Sequence, residues 1–236
     1  MFKLKIIVMI PTYNERENIG KIINKILNLK IKNLEILVVD DNSPDGTWEI
    51  VEEIARKKKK VKLLLRKKKK GRGYAGKAGY KRCLELGADV IIEMDGDFSH
   101  DPKYIPRMLD ETKKYDVVLG SRMVKGGIEY GRNIIRRAIT LFANFYTRHL
   151  LGINVRDCNS GFRCFRREAL ESINVGSLKS AGPSIVQEVL LKANQKRLRM
   201  KEIPIIFRNR TKGESKLGLR ELVRSYFYIT LLRLRK

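Results

Sequence analysis

Short apolar runs and helical repeats alternate along the first half of the chain, and this alternation most constrains the fold. Strands are predicted at residues 5–10, 34–39, 61–65, 90–94 and 116–119. Helices are predicted at residues 19–27, from Trp48 onward, and at 75–86. Strands that alternate with helices form βαβ units whose strands run parallel. The sequence therefore predicts an α/β fold with a mostly parallel central sheet.

The second half of the chain is less regular. Helices are predicted at residues 134–151, 167–173 and 184–193, a strand at 199–207, and a last helix from Leu219. No internal repeat or linker interrupts the 236 residues, so we interpret residues 1–236 as one domain.

Polar residues follow the predicted strands at the point where each strand ends. They are Tyr13, Asn14 and Glu15 after the first strand, Asp40 and Asp41 after the second, Asp95, Gly96 and Asp97 after the fourth, and Gly120, Ser121 and Arg122 after the fifth. In parallel sheets, ligands bind outside the carboxyl ends of the strands. This edge is therefore the candidate active site.

Asp95 and Asp97 are the candidate metal ligands. One small residue separates the two aspartates, and a turn directly after a strand would bring them to the same volume. Oxygen ligands suit hard cations such as Mg²⁺ or Mn²⁺, which share them with substrate phosphates. A solvated turn is the alternative interpretation of an Asp-x-Asp pattern, but the position at the sheet edge favours a metal.

The chain is strongly basic, with a formal net charge of +25, and this implies an anionic partner. Lysine runs at residues 57–60 and 67–70 carry much of the charge, either as a functional patch or as solvated helix and loop ends. Arg122, Arg208, Arg210, Lys212 and Lys216 are candidates for contact with a diphosphate leaving group beside the metal.

Residues 71–76 match the pattern G-x-G-x-x-G, which is typical of dinucleotide-binding sites. They follow the third strand rather than the first, and Asp95, the acid at about the expected distance, belongs to the Asp-x-Asp motif. We interpret these glycines instead as allowing the backbone to approach a ligand at a helix N-terminus.

Other chemistries find little support. His100 and His149 are the two histidines, neither has a serine or cysteine nucleophile arranged around it, and we expect both to be structural. The three cysteines form no Cys-x-x-Cys pair, so we expect no disulfide framework or zinc site and a reducing compartment. Residues 1–3 lead directly into a strand, so no signal peptide is expected.

The chain resembles the inverting family 2 glycosyltransferases of GT-A fold, and within them the dolichol-phosphate (polyprenol-phosphate) mannose synthases. The matching segments are residues 10–18, 38–45, 94–100, 120–122, 157–163 and 213–218. The first three mark the broad family, and Gly213-Glu214-Ser215-Lys216-Leu217 is the more specific match.

The resemblance implies transfer of mannose from GDP-mannose to a dolichyl or polyprenyl phosphate. It assigns the donor to Pro11, Tyr13, Glu15, Val39, Asp41, Asp95, Gly96, Asp97, Ser99, Arg122, Arg210 and Lys216, the metal to Asp95, Asp97 and Ser99, and the lipid phosphate to Arg136 and Thr140. Asp95, Asp97, Arg122 and Arg210 would carry the catalysis. Other members of the family have Gln where Ser99 stands.

A lipid-phosphate acceptor agrees with the residues themselves. A phosphate oxygen is already anionic, so the attack needs no dedicated general base, and none is evident. Residues 132–152 and 219–236 are candidate membrane-interface helices, although core packing with an arginine-rich outer face is an alternative for the first. We expect peripheral attachment to the cytoplasmic face of a membrane, directly or through a separate membrane-anchor protein.

Two rival functions remain at this point. One is a UDP-glucose-dependent polyprenyl-phosphate glucosyltransferase or another family 2 transferase. The other is a nucleic-acid-binding protein, which the +25 charge would suit. The chain has no recognisable reading motif and no basic face interleaved with stacking aromatics, so we expect no nucleic-acid partner.

Overall fold

The computed structural model describes residues 4–68, 70–131, 134–208, 227–228 and 230–231, without the side chains of residues 134–136. The strands in this part of the chain are β1 (Ile6–Thr12), β2 (Leu34–Asp40), β3 (Val61–Leu65), β4 (Val90–Glu93), β5 (Val117–Ser121), β6 (Ile128–Tyr130), β7 (Arg163–Arg166), β8 (Met200–Pro204) and β9 (Ile206–Arg208). The helices are α1 (Arg16–Leu27), α2 (Thr47–Lys57), α3 (Arg72–Glu85), α4 (Ile105–Glu111), α5 (Ile134–Leu151), α6 (Arg167–Ser172) and α7 (Ile185–Gln195).

A seven-stranded sheet forms the centre of the molecule, in the order β3-β2-β1-β4-β7-β5-β8. Neighbouring strands are parallel except at β7, which is antiparallel to both β4 and β5. A separate two-stranded sheet pairs β6 with β9. The predicted α/β class and mostly parallel sheet are confirmed. The carboxyl ends of β1, β2, β4 and β5 lie along one edge of the sheet. The polar residues that follow these strands were predicted to collect at such an edge.

The sheet is buried on both faces, which makes a three-layer structure. Along β1, Ile7 and Met9 belong to the core on the side of α3, α6 and α7. Val8 and Ile10, which alternate with them, belong to the core on the side of α1, α2 and α4. Strands covered on both faces have nearly continuous apolar runs, and this is why β1 and β2 were predictable from the sequence.

Strand β7 was not predicted. Its sequence contains two arginines, and a charged residue argues against a central strand. Arg163 is nevertheless fully buried, because its guanidinium donates to the carbonyl oxygens of Ser160 (2.7 Å) and Val186. Saturating the guanidinium with backbone acceptors makes burial of the charge possible.

The strand predicted at residues 199–207 is in fact two strands. The ladder between β5 and β8 ends where Ser121 pairs with Pro204, which has no N–H to donate. Ile205 then bridges the two sheets, donating to Ser121 O (3.0 Å) and accepting from Ile128 N (3.0 Å). The chain therefore changes sheets at this point.

The predicted helix over residues 134–151 is confirmed as α5. The helix predicted from Leu219 lies almost entirely outside the described residues. Among the described residues, no helix is both long and apolar enough to cross a bilayer. None of the three cysteines forms a disulfide, as expected.

Two glycines inside helices provide a matched test of the packing. A Cβ at Gly79 in α3 would overlap the sulfur of Met9 and lie 3.0 Å from Val39 Cγ2, whereas a Cβ at Gly20 in α1 would meet Ile50 at an ordinary 3.7 Å. We expect Gly79→Ala to lower the free energy of unfolding by about 1–3 kcal/mol. Gly20→Ala should raise it by about 0.5–1 kcal/mol through helix propensity. Urea unfolding midpoints of both variants check this, and equal stabilisation by both would contradict the packing of α3 on β1.

Candidate active site

The residues predicted to hold the nucleoside lie at and just beyond the ends of β1 and β2. Asp40 is buried and fixes the local turn, since its carboxylate accepts from Thr12 Oγ1 (2.8 Å) and Ser43 N (2.8 Å). Asp41 accepts from Gly71 N (2.6 Å) and pairs with Arg66. Burial raises the pKa of Asp41 above its ordinary value by more than Gly71 and Arg66 lower it.

The remaining residues predicted to hold the nucleoside lie beside this turn. Tyr13 is 40% exposed, and the ammonium of Lys70 lies 5.8 Å from its ring centroid. The backbone N–H of Glu15 donates to Thr47 Oγ1 (2.8 Å), which anchors the start of α1. Pro11 and Val39 are register partners in β1 and β2. Val39 is fully buried in the core, so any ligand contact would have to come from its backbone.

The segment after β4 contains the predicted metal ligands. Asp95 has 31% of its side chain exposed, whereas Asp97 is buried. Asp97 Oδ1 accepts from both the backbone N–H (3.0 Å) and the hydroxyl (2.6 Å) of Ser99. These two bonds fix the orientation of the Asp97 carboxylate. Ser99 therefore positions Asp97, and its predicted contact with the metal itself stays a prediction.

The backbone of this segment is tightly constrained. A Cβ at Gly96 would lie 3.3 Å from both Ile10 and Thr12, so the chain passes close against β1. Phe98 has a positive φ of 63°, a conformation that costs a residue with a side chain roughly 1 kcal/mol or more. The segment is thus held in shape by its packing and by the Asp97–Ser99 hydrogen bonds.

His100 packs against the segment that carries Asp95 and Asp97. Its ring is buried, stacks on Phe162 with centroids 5.2 Å apart, and lies edge-on to Phe207. Nδ1 accepts from the backbone N–H of Asp95 (3.3 Å). Burial lowers the pKa of His100 in spite of the nearby aspartates, so the ring is neutral at pH 7. Its position between two aromatic rings agrees with the structural role expected for it.

The donor set at this segment suits a divalent hard cation. Asp95, Asp97 and Ser99 supply only oxygen atoms, and a neutral His100 adds no repulsion. No group of three or more His, Cys, Asp or Glu side chains that could hold a metal occurs in the described part of the chain. Two carboxylates would therefore leave the remaining coordination positions to water and substrate phosphate oxygens, as is usual for Mg²⁺.

Arg122 lies at the end of β5 and is almost completely buried. Its guanidinium donates to both carboxylate oxygens of Asp157 (2.8 and 2.7 Å) and to Glu129 (3.0 Å). The ring of Phe207 lies 4.9 Å from the guanidinium carbon. The charge is thus already shared between two carboxylates, and the predicted donor contact of Arg122 stays a prediction.

Arg72, which the sequence analysis did not single out, is a further charged residue of this site. Its Nη2 lies 3.1 Å from Asp95 Oδ1 and 3.0 Å from Glu93 Oε1. The residue occupies a variable position of the G-x-G-x-x-G pattern, where attention falls on the glycines. Since Arg72 is one of seven cations between residues 66 and 77, no local signal distinguished it.

Two glycines of that pattern make close contacts within the protein itself. Gly73 N donates to Ala181 O (2.9 Å), and a Cβ at Gly73 would overlap Ser180 O. Gly71, at φ 135°, directs its N–H to Asp41. Gly73 therefore permits close approach to the backbone of residues 180–181, and the predicted approach of this segment to a ligand stays a prediction.

Several predicted site residues lie outside what the structure describes. Arg210 and Lys216 are among these, as is the interface helix predicted at 219–236 apart from four residues. Arg136 lies in α5, but its side chain is not described. Thr140 is half-buried on the same helix. The predicted lipid-phosphate contacts of Arg136 and Thr140 are therefore not tested.

Comparison with known proteins identifies the family. A model of the family described as "Glycosyl transferase family 2" matches residues 7–173. The chain belongs to glycosyltransferase family 2. It is a glycosyltransferase, and its sheet and helices have the GT-A arrangement that the resemblance implied.

Curated relatives match over most of this family 2 chain. It is 35% identical over 215 residues to an undecaprenyl-phosphate mannosyltransferase of Micrococcus luteus, covering 91% of this chain and 88% of that protein. It is 36% identical over 214 residues to a polyprenol monophosphomannose synthase of Mycolicibacterium smegmatis, covering 90% and 80%. It is 38% identical over 218 residues to a dolichol-phosphate mannosyltransferase of Pyrococcus furiosus, covering 91% of this chain but 59% of that longer protein.

Solved structures support the fold. The glucosyl-3-phosphoglycerate synthase of Mycobacterium tuberculosis, crystallised with Mn²⁺, UDP-glucose and glycerol 3-phosphate, superposes with a TM-score of 0.71. The match covers 98% of this family 2 chain and 80% of the synthase at 19% identity. At this identity the likeness concerns the fold alone.

The Arg122–Asp157 pair gives a prediction for stability. Burial alone would raise the pKa of Asp157, but the hydrogen bonds and charge of Arg122 outweigh burial and hold the pKa below its ordinary value of 3.8. Asp157→Asn turns an amide donor toward the guanidinium and should lower the free energy of unfolding at pH 7 by about 3–5 kcal/mol.

The same variant has a defined pH dependence. A depressed carboxyl pKa contributes stability that is complete above the unfolded value and is lost as pH falls through the folded value. The difference between wild type and Asp157→Asn should therefore be constant from pH 7 to about pH 5 and shrink below about pH 4. Urea unfolding across this range checks it, and a difference that grows toward acid would contradict the assignment.

Proposed function

We propose that this family 2 enzyme transfers mannose, with inversion, from GDP-mannose to a polyprenyl or dolichyl phosphate, using Mg²⁺ or Mn²⁺. The observation that carries the proposal is the 35–38% identity, over about nine-tenths of the chain, to three proteins named for mannose transfer to polyprenyl phosphates. The product would be a lipid-phosphate mannose that serves as a donor for glycosylation.

The nucleoside would bind at the ends of β1 and β2. Asp41 presents a carboxylate that Gly71 and Arg66 hold in place, and Tyr13 offers an exposed ring for contact with the base or ribose. Glu15 lies next to them at the start of α1. Arg210 and Lys216 are proposed to bind the donor's phosphates or sugar, as the resemblance implies.

The diphosphate would lie over the segment after β4. Asp95 and Asp97, with Ser99 beside them, would hold the divalent cation, which neutralises the charge that develops on the leaving diphosphate. Gly96 keeps the chain close to β1. Because Ser99 already fixes Asp97, this carboxylate needs little rearrangement to bind the cation, and preorganisation of this kind favours catalysis.

The acceptor itself would supply the nucleophile. An anionic phosphate oxygen of the lipid attacks the sugar C1 from the face opposite the leaving group. The bond from C1 to the diphosphate oxygen breaks, and GDP leaves with the electron pair. No proton has to be removed from this nucleophile, so the site needs no general base. Arg136 and Thr140 are proposed to receive the lipid phosphate, and Arg122 to orient the reacting groups.

We further propose that α5 lies on the cytoplasmic face of a membrane. Ile139, Leu141, Phe142 and Phe145 are 49–69% exposed along this helix, with the basic residues Arg137 and Arg148 beside them. An apolar stripe of this kind next to cations is typical of helices that lie in the lipid interface. Attachment through a separate membrane-anchor protein would use the same surface.

The donor and acceptor specificity can be measured directly. Purified protein is incubated with labelled GDP-mannose or UDP-glucose and with polyprenyl phosphate, in Mg²⁺, Mn²⁺ or a chelator. We expect lipid-linked product from GDP-mannose only, and only with a metal. Asp97→Ala should lower the rate at least about a hundredfold, because the second carboxylate of the metal site is lost.

The folded state of Asp97→Ala is checked by circular dichroism and thermal unfolding. Product from UDP-glucose alone would replace the mannose assignment with the glucosyltransferase alternative. Undiminished transfer by Asp97→Ala would exclude residues 95–97 as the metal site.

The membrane proposal predicts an effect of two aromatic residues. Phe142→Ser with Phe145→Ser removes two exposed rings from α5 and should weaken binding to anionic polyprenyl-phosphate liposomes by about tenfold or more. Leu4→Ser, at a residue 56% exposed at the amino end of the sheet, is the matched control and should leave binding unchanged. Liposome co-sedimentation measures both, and equal binding by all three proteins would rule out α5 as the contact surface.

A further inference from the structure

Arg72 lies in direct contact with a carboxylate that the proposed function assigns to the metal. It is the first residue of α3, and its side chain reaches across the site to the end of β4. One nitrogen, Nη2, lies 3.1 Å from Asp95 Oδ1 and 3.0 Å from Glu93 Oε1. A protein cation therefore occupies a position next to the one that a divalent cation would take.

Glu93 is the second carboxylate that pairs with the guanidinium of Arg72. Its side chain is 1% exposed, and its second oxygen accepts from the hydroxyl of the buried Tyr80. Glu93 Oε1 accepts no directed hydrogen bond among the described residues, so its contact with Arg72 is an ion pair. Arg163, buried in the neighbouring strand, also interacts electrostatically with Glu93, but the ion pair that Glu93 makes at 3.0 Å is with Arg72 and favours keeping Arg72 in the site.

The surroundings leave Arg72 and Asp95 little room to separate. A Cβ at Gly161 would lie 3.2 Å from Arg72 Nη2 and 3.2 Å from Asp95 Oδ2. The loop before β7 therefore covers the ion pair closely. Asp95 consequently has two uses within the same small volume, as partner of Arg72 and as ligand of the cation.

We propose that Arg72 is a positioning residue that competes with the divalent cation for Asp95 and thereby weakens metal binding to the free enzyme. Glu93 keeps the guanidinium in the site when the cation takes the carboxylate. The inference rests on the proposed function in one respect, namely that Asp95 and Asp97 are the metal ligands. It adds that the affinity of this site for the metal is set by a residue of α3.

Two neighbouring substitutions should change metal affinity in opposite directions. Arg72→Met removes the ion pair with Asp95 and a positive charge beside the cation, so Mn²⁺ should bind about five- to tenfold more tightly. Glu93→Gln removes one of the two carboxylates that pair with Arg72. The guanidinium then pairs more strongly with Asp95, so Mn²⁺ should bind several-fold more weakly. Titration of the enzyme with Mn²⁺ alone, followed by the paramagnetic resonance of free Mn²⁺ or by calorimetry, measures both without turnover.

The double variant Arg72→Met with Glu93→Gln separates direct competition from a general charge effect. It keeps the wild-type net charge and leaves no unpaired buried carboxylate, so it also carries the test if Arg72→Met alone fails to fold. We expect it to bind Mn²⁺ several-fold more tightly than wild type. Wild-type affinity in the double variant would overturn the proposal, because charge alone would then explain the single variants.

Arg82→Met is the matched control. Arg82 is on the same helix but exposed, and it pairs with Glu85 away from the site, so its loss should leave Mn²⁺ affinity unchanged. Asp97→Ala tests the underlying site and should abolish Mn²⁺ binding in every background. If wild type and Asp97→Ala bind Mn²⁺ equally, the metal site itself is wrong; if only Asp97→Ala differs from wild type, the role of Arg72 is wrong.

Discussion

The repulsion among the carboxylates at the end of β4 is the constraint on which the rest of the site depends. Glu93, Asp95 and Asp97 lie within five consecutive residues, and two of them are buried. Tyr80 and Arg72 compensate Glu93, the same Arg72 compensates Asp95, and the hydroxyl and N–H of Ser99 compensate Asp97. Buried charges are stable only when paired or hydrogen-bonded, so these partners are requirements of the fold as well as of the chemistry.

This acidic cluster lies within a chain of formal charge +25, and the electrostatic effects of the two features act over different distances. At long range, the excess of lysine and arginine attracts anions such as a nucleotide diphosphate or a lipid phosphate. At short range, carboxylates would repel the same phosphates unless a cation lay between them. A basic molecule with an acidic point at its sheet edge is therefore suited to an anionic substrate that arrives together with a metal.

Much of the fold could be predicted because β1 to β5 and most helices carry the pattern expected for their surroundings. Strands covered on both faces are continuously apolar, and the carboxyl ends of β1, β2, β4 and β5 share one edge, as the order of elements predicted. Strand β7 was missed because the burial of Arg163 depends in part on the backbone carbonyl of Val186, 23 positions along the chain, as well as on that of nearby Ser160. The division of residues 199–207 between two sheets also depends on partners that local sequence does not reveal.

The candidate site was predictable to the same degree. Asp95 and Asp97 could be singled out as candidates because their spacing and their position after a strand are local properties. Arg72 could not, since its significance comes from a contact with residues more than twenty positions away across the sheet edge. The role of Ser99 in fixing Asp97 depends on the backbone turn at Phe98, whose positive φ no single residue type announces.

The two halves of the chain are joined at the site by a continuous series of hydrogen bonds. Glu188 on α7 accepts from the backbone N–H groups of Lys179 and Ser180 (both 2.8 Å), which fixes the loop that follows. Ala181 O then accepts from Gly73 N at the start of α3, and Gly71 N donates to Asp41. Glycine is required at position 73 because any side chain would separate the loop from the helix. These contacts thus connect α7 with the start of α3, where Arg72 lies, and with Asp41, the carboxylate proposed to hold the nucleoside.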